Sequence, residues 1–189
     1  MPVEKQRKSQ IYLLIDRLNS KWIFLALTAL FILFLLVFLP REATRSDLST
    51  GDLASPDTQF IYSASDLKAL ISNYSELARK EYIIAKVRFD ILWPIVYGLW
   101  LTSGLSIVLK GGWRKGLIFL PFIAVIFDFL ENIAVSIAMA TYPSPLGIAL
   151  YLAPIFTGIK WLTLNLAMLI FGGVVIVKLA SYILKKVSR

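Results

Sequence analysis

The sequence predicts an all-α integral membrane protein: a four-helix bundle with an extracytoplasmic loop and amphipathic helix between its first and second spans. Three observations carry that prediction. Four apolar runs are each long enough to cross a hydrocarbon core of ~30 Å, which takes about 20 helical residues. Apolar residues make up 58% of the chain and charged ones only 17%, a membrane composition. The basic residues lie beside the apolar runs, where they act as topology signals.

In order, residues 1–21 are polar and basic, and 11–18 has the pattern of a short amphipathic helix on the membrane surface. The first span covers 22–39 and is closed by Pro40-Arg41. Its core is too long for a cleaved signal peptide and no small-x-small site follows, so it reads as an uncleaved anchor. Residues 41–62, rich in Asp, Ser, Thr and Gly, read as an exposed loop. Ser63-Ala-Ser65-Asp66 then offers an N-cap for a short surface helix over 66–73. From Ser75 an amphipathic helix is expected to run without a break into the second span, 91–109, with a kink at Pro94. A tight basic turn, Lys110-Gly-Gly-Trp-Arg-Lys115, leads to the third span, 117–140. After an uncharged turn over 141–145, the apolar stretch 146–177 is too long for one upright span. Pro154 is expected to start the fourth helix, 154–177, with 146–153 at the interface and a basic tail from Lys178. The whole chain, 1–189, is one transmembrane domain.

The net charge of +8 is a matter of topology here, and no nucleic-acid partner is expected. Residues 1–21, 110–116 and 178–189 hold twelve Lys and Arg against two acids, whereas 41–89 holds seven of each. The positive-inside rule places both termini in the cytoplasm and 41–89 on the other side, in a plasma membrane or a prokaryotic inner membrane. Membrane lipids are the expected partners, and a homo-oligomer is left open. Cysteine and histidine are both absent, which removes disulfides, thiolate nucleophiles, imidazole bases and the usual zinc ligands. Chemistry is left to Asp, Glu, Lys, Tyr, Ser, Thr and the backbone.

Two carboxylates and an amide interrupt the third span. Asp128 and Glu131 are three apart, and Asp128 and Asn132 four apart, so a helix puts all three on one face. Rise per residue sets their depth from the inner boundary: Asp128 ~16 Å, Glu131 ~21 Å, Lys160 on the fourth helix ~27 Å, and Asp90 ~30 Å. Tyr97 shares the Asp90 face two turns deeper. The candidate ligand-binding set is therefore Asp90, Tyr97, Asp128, Glu131, Asn132 and Lys160. On the fourth helix Thr157, Lys160, Trp161 and Asn165 form a stripe, and Arg88 or Arg79 is placed to offset Asp90. The inner half has no comparable polar set, so the site is expected to open outward. Gly98, Thr102 and Ser106, like Ala134 and Ala138, are spaced by four, as close helix contacts or as small residues facing lipid. Trp22, Trp93, Trp113 and Tyr142 sit at predicted span ends, where such residues are enriched.

The pattern Arg79-x-x-Tyr82, Asp90-x-x-x-Pro94-x-x-Tyr97-Gly98, Asp128-x-x-Glu131-Asn132, Tyr142-Pro143 and Lys160-Trp161 resembles a widespread, uncharacterised family of small four-span membrane proteins. The resemblance covers roughly 75–165, and its most specific element is the intramembrane Asp-x-x-Glu-Asn. It implies that these residues form one site, with Arg79, Tyr82, Arg88, Trp161 and Asn165 in support. It supplies no activity, substrate or cofactor.

Three readings remain. Asp128, Glu131 and Lys160 form a buried ion pair that fixes which helix faces which. Alternatively, three carboxylates against one in-membrane cation leave room for a proton, a cation or a lipid headgroup, a hard divalent ion such as Mg²⁺ or Ca²⁺ being compatible with carboxylate and amide oxygens. In the third reading, the carboxylates act as acid and base on a lipid, with Tyr97 or Lys160 as proton donor, although no activated nucleophile can be named. The topology is directly testable because no native cysteine gives background labelling. In intact cells S49C should react with an impermeant maleimide and S188C should not; the reverse pattern would invert the orientation.

Overall fold

Four helices long and apolar enough to cross a membrane, Lys21–Arg45, Glu76–Val108, Leu120–Thr141 and Ala149–Val187, form the frame of an all-α multi-pass membrane protein. The computed structural model describes residues 17–50, 56, 59–112, 114–144 and 147–187, with only the backbone described for 46–50, 114 and 115. The amphipathic helix expected over 11–18 falls almost wholly outside these residues, as does Trp113.

Helix α1 (Lys21–Leu33) passes through a π turn (Phe34–Phe38) into α2 (Leu39–Thr50). Pro40 accounts for the change of register. It has no N–H, and its ring crowds the carbonyl four residues back. Just before it, the Leu39 N–H bonds Phe34 O, an i→i−5 bond that resets the ladder ahead of the ring. The helix thus does not end at Pro40-Arg41, and residues 41–50, expected as loop, are helix.

Next, α3 (Ala64–Asn73) starts with a capping box. The Asp66 N–H bonds Ser63 Oγ at 3.2 Å, and the Ser63 N–H bonds Asp66 Oδ2 at 2.8 Å. Hydrogen bonds from Ser63 hold the Asp66 carboxyl below its ordinary range. This helix is more than a surface element, because Leu67 and Ile71 are fully buried. Ser75 caps α4 (Glu76–Arg88), its Oγ accepting from the Ala78 N–H at 3.1 Å.

Within the Glu76–Val108 stretch a turn over 89–91 separates α4 from α5 (Leu92–Val108), so the expected run without a break into the second span is interrupted there. The reason is again a proline. Pro94 cannot donate to Asp90 O, and the ladder is interrupted around the residue whose carbonyl loses its donor. Pro94 thus sits in the first turn of α5 rather than kinking a continuous rod. A short helix α6 (Arg114–Leu117) precedes α7 (Leu120–Thr141) and the long α8 (Ala149–Val187). Both ends of α8 exceed expectation. Pro154 lies inside it, the loss of one bond near the helix start being tolerated because Ala149, Leu150 and Ala153 are buried. At the far end no Gly or Pro interrupts 178–187, and the basic tail continues as helix.

Helices α7 and α8 form the central antiparallel pair, with α5 against both. At one end of the bundle, α3 and α4 cap this pair. Tyr62, Leu67, Ile71, Tyr74 and Tyr82 form one core there with Ala134, Val135, Ala138 and Ala153. Toward the end that carries the 110–116 turn, Leu101, Leu105 and Ala167 form a second core. Helix α1 is joined to α5 by aromatic rings: Phe31 stacks on Trp100 at 4.2 Å and on Trp93 at 5.6 Å. Trp93 is thus a packing residue and not only an interfacial one, whereas Trp22 is 71% exposed.

The spacing of small residues marks helix contact rather than lipid exposure. Thr102, Ser106, Ala134 and Ala138 are all buried, and a Cβ on Gly98 would lie 2.5 Å from Val125 Cγ2. Valine is stiff at χ1 and cannot easily retreat. G98A should therefore force α5 from α7 and destabilise by about 1–3 kcal/mol. In a detergent melt, G112A, where nothing lies within 4 Å, should stay near wild type, and G98A/V125A should recover part of the loss. An unchanged melt for G98A would mean that α5 and α7 do not approach here.

Candidate functional site

The polar site is built from three connected groups. Its centre is Glu131 on α7, whose relative exposure is 0%. Glu131 Oε2 forms an ion pair with Lys160 Nζ of α8, which is itself buried. Glu131 Oε1 accepts from Thr157 Oγ1 at 2.7 Å. Residues 157 and 160 are one helical turn apart on α8, so a single face supplies both partners. Thr157 Oγ1 also lies 2.9 Å from the Tyr62 hydroxyl and 2.9 Å from Ala153 O. A threonine hydroxyl has one proton but two lone pairs. With Thr157 donating to Glu131, Tyr62 is the donor to Thr157. Burial pushes the Tyr62 phenol up from its ordinary range, so it keeps its proton for that role.

The second group faces α5. Asp128 Oδ2 accepts from the Tyr97 hydroxyl at 2.9 Å, and Oδ1 accepts from Asn132 Nδ2 at 3.1 Å. All three residues are buried, with Asp128 8% exposed. The shared face of Asp128, Glu131 and Asn132 thus divides between two neighbours. Asp128 and Asn132 serve the α5 side, and Glu131 the α8 side.

The third group lies at the α4–α5 break, where Lys86 Nζ pairs with Asp90 Oδ2 at 2.6 Å. Lys86 also stands over the Tyr82 ring at 4.8 Å. Arg88 and Arg79 do not offset Asp90. Arg88 pairs instead with Glu42 of α2 at 2.5 Å. Arg79 donates to Tyr74 O at 2.5 Å and covers the Tyr142 ring at 4.7 Å. The reason is reach along the helix: Lys86 is four residues from Asp90 and faces it, whereas Arg88 points to α2. Asn165 is exposed and bonds Trp161 O of its own helix, so it stays apart from the carboxylates. Trp161 packs on Phe60 at 4.4 Å, near the Lys160 ammonium. Its buried indole N–H has no acceptor among the described residues.

Three participants lie outside the expected set: Tyr62, Thr157 and Lys86. Thr157 was visible on the α8 stripe, and Lys86 as the i−4 neighbour of Asp90. Tyr62 precedes α3 in an irregular stretch and carries no periodic signal. The end of the bundle that carries the 110–116 turn also holds buried hydroxyls not expected from the sequence. Thr102, Ser103 and Ser106 are buried on α5, and Ser103 Oγ donates to Leu18 O at 2.7 Å. Among the described residues no three acidic side chains gather closely enough to hold a metal ion. Chemically, the arrangement can bind, orient and hold protons. Its Glu131 end is closed to solvent, whereas the Asp90 side chain is 20% exposed.

Removing one member of the Glu131–Lys160 pair should strand the other. K160M is expected to destabilise by about 3–5 kcal/mol, and adding E131Q should restore part of that loss. A detergent melt in which the double variant is no more stable than K160M would reject the pairing. Compared with protein-family models, curated proteins and solved structures, the chain matches none.

Proposed function

We propose that this membrane protein binds one positively charged group at Asp128, either a monovalent cation or the ammonium of a cationic or zwitterionic lipid headgroup. The observation that carries the reading is the company Asp128 keeps. Glu131 has Lys160 and Asp90 has Lys86, but among the described residues no cation lies within ion-pair distance of Asp128. Both its oxygens accept hydrogen bonds from neutral donors, and the Asn132 amide can only donate. That arrangement suits a carboxylate, and an unbalanced carboxylate at such depth is costly. The surplus is thus one negative charge rather than the two counted from the sequence, because Lys86 neutralises Asp90. A single positive charge closes it. A hard divalent ion fits poorly, since Glu131 and Asp90 are already paired and lie in other groups.

The charge count supports an extracytoplasmic placement of the end capped by α3 and α4, with approach to the site from that side. A structural reading is favoured for the Glu131 half alone, where both carboxylate oxygens already bind α8. Thr157 beside Glu131 is the nearest arrangement to a nucleophile and base. Both have 0% exposure, however, and Thr157 is already in contact with the Tyr62 hydroxyl, which speaks against a reacting pair.

The test is a melting screen of purified protein against Na⁺, K⁺, Mg²⁺, Ca²⁺ and vesicles of phosphatidylethanolamine or phosphatidylcholine. A ligand at 100-fold over its Kd should raise stability by about 2.7 kcal/mol. The shift should vanish in D128N and survive in N165A, where the side chain is exposed. No shift for any ligand, or an equal shift in D128N, would leave Asp128 a structural residue.

A further inference from the structure

We propose that the cleft between α3 and the α7–α8 turn binds the phosphate of an anionic amphiphile, with Lys68 as its counter-ion. The cleft is separate from the carboxylate site, and the inference does not depend on what Asp128 binds. Its volume is about 570 Å³, and its lining includes Lys68, Tyr142, Pro143, Ser144, Leu150 and Tyr151. That is enough room for a glycerophosphate headgroup, within the range of small-ligand clefts.

Lys68 is the one charged side chain in the lining, and among the described residues no carboxylate lies within ion-pair distance of it. The nearest acid in sequence, Asp66, keeps its charge but turns its carboxylate to the N–H and hydroxyl of Ser63 rather than to Lys68. Behind the Tyr142 wall stands a second cation, the Arg79 guanidinium, 4.7 Å from the ring. Arg79 is held there by its bond to Tyr74 O. The acid at the start of α4, Glu76, is bonded to Lys80 at 2.7 Å and does not cancel this field.

The remaining lining suits an amphiphile at a membrane interface. Tyr142, Ser144 and Tyr151, all hydroxyl-bearing, are in the lining, and a phosphate offers several acceptor oxygens to such donors. Pro143 and Leu150 give an apolar wall for the first carbons below the headgroup. The cleft lies where α7 ends and α8 begins, the level at which tyrosines and lipid headgroups meet. Tyr151 is 66% exposed, so the cleft is accessible from outside the bundle.

The experiment uses the full chain in detergent with equimolar phosphatidylglycerol and phosphatidylcholine, read by native mass spectrometry. Phosphatidylglycerol should be retained in preference to phosphatidylcholine, and K68Q should lower that retention about tenfold, a difference of about 1.4 kcal/mol. K80Q, whose lysine pairs with Glu76 away from the cleft, should retain lipid like wild type. Both variants should melt like wild type without lipid, because both lysines are exposed. Inorganic phosphate separates the two sources of the same chemistry. If it raises the wild-type melt but not that of K68Q, and phosphatidylglycerol is not enriched, the occupant is a free phosphate compound. Equal phosphatidylglycerol retention in wild type and K68Q, or neither lipid preference nor a phosphate shift, overturns the proposal.

Discussion

Glu131 is a carboxylate with no access to solvent, inside a helix that crosses the membrane, and the polar architecture answers to that cost. Desolvating an ion takes several kcal/mol even after relaxation, and attraction to one cation repays it only when the remaining lone pairs are also met. Here both oxygens are met from α8, by Lys160 and Thr157. Thr157 in turn accepts from Tyr62, a residue from the far end of a long connection. One buried charge thus fixes the register of α7 on α8 and draws the segment before α3 down over them. The apolar cap of Leu67, Ile71, Tyr74 and Tyr82 excludes water from the same region. Water exclusion strengthens the pair and raises the cost of breaking it.

Asp128 lies one turn away under different rules. Its partners are neutral and come from α5 and its own helix, so it ties those two helices together. Two acids on one helix face therefore have separate partners, one a cation and a hydroxyl of α8, the other a phenol of α5 and an amide of its own helix. The division follows from helix geometry, since the consecutive residues Glu131 and Asn132 point ~100° apart around the helix and so lean to opposite sides of Asp128.

The four spans were legible because runs of apolar residues need no tertiary information to be recognised. The convergence of Glu131 with Lys160 was legible from depth, whereas depth did not single out Tyr97 as the partner of Asp128. What was not legible depended on local register. Pro40 reads as a terminator in any one-dimensional scan, yet an i→i−5 bond one residue earlier lets the helix continue. Pro94 reads as a kink, yet the chain turns before it and leaves Asp90 in the gap with Lys86. The long arginines on α4 were plausible partners for Asp90 until the helix ended and turned Arg88 toward Glu42. Tyr62 carries no period, and only the folded cap brings it to Thr157.

The length of α8 has a mechanical meaning. From Lys160, where the helix is tied to Glu131, to Val187 at its end is ~40 Å of continuous rod. Beyond Phe171, which touches Trp100 and Phe24, this rod is largely bare, with a Lys178 bond to Val108 O at 2.8 Å acting as a stay. The free arm begins where Phe171 stops packing: from there to Val187 is ~24 Å, and a tilt of about 10° at Phe171 would carry the far end through about 4 Å.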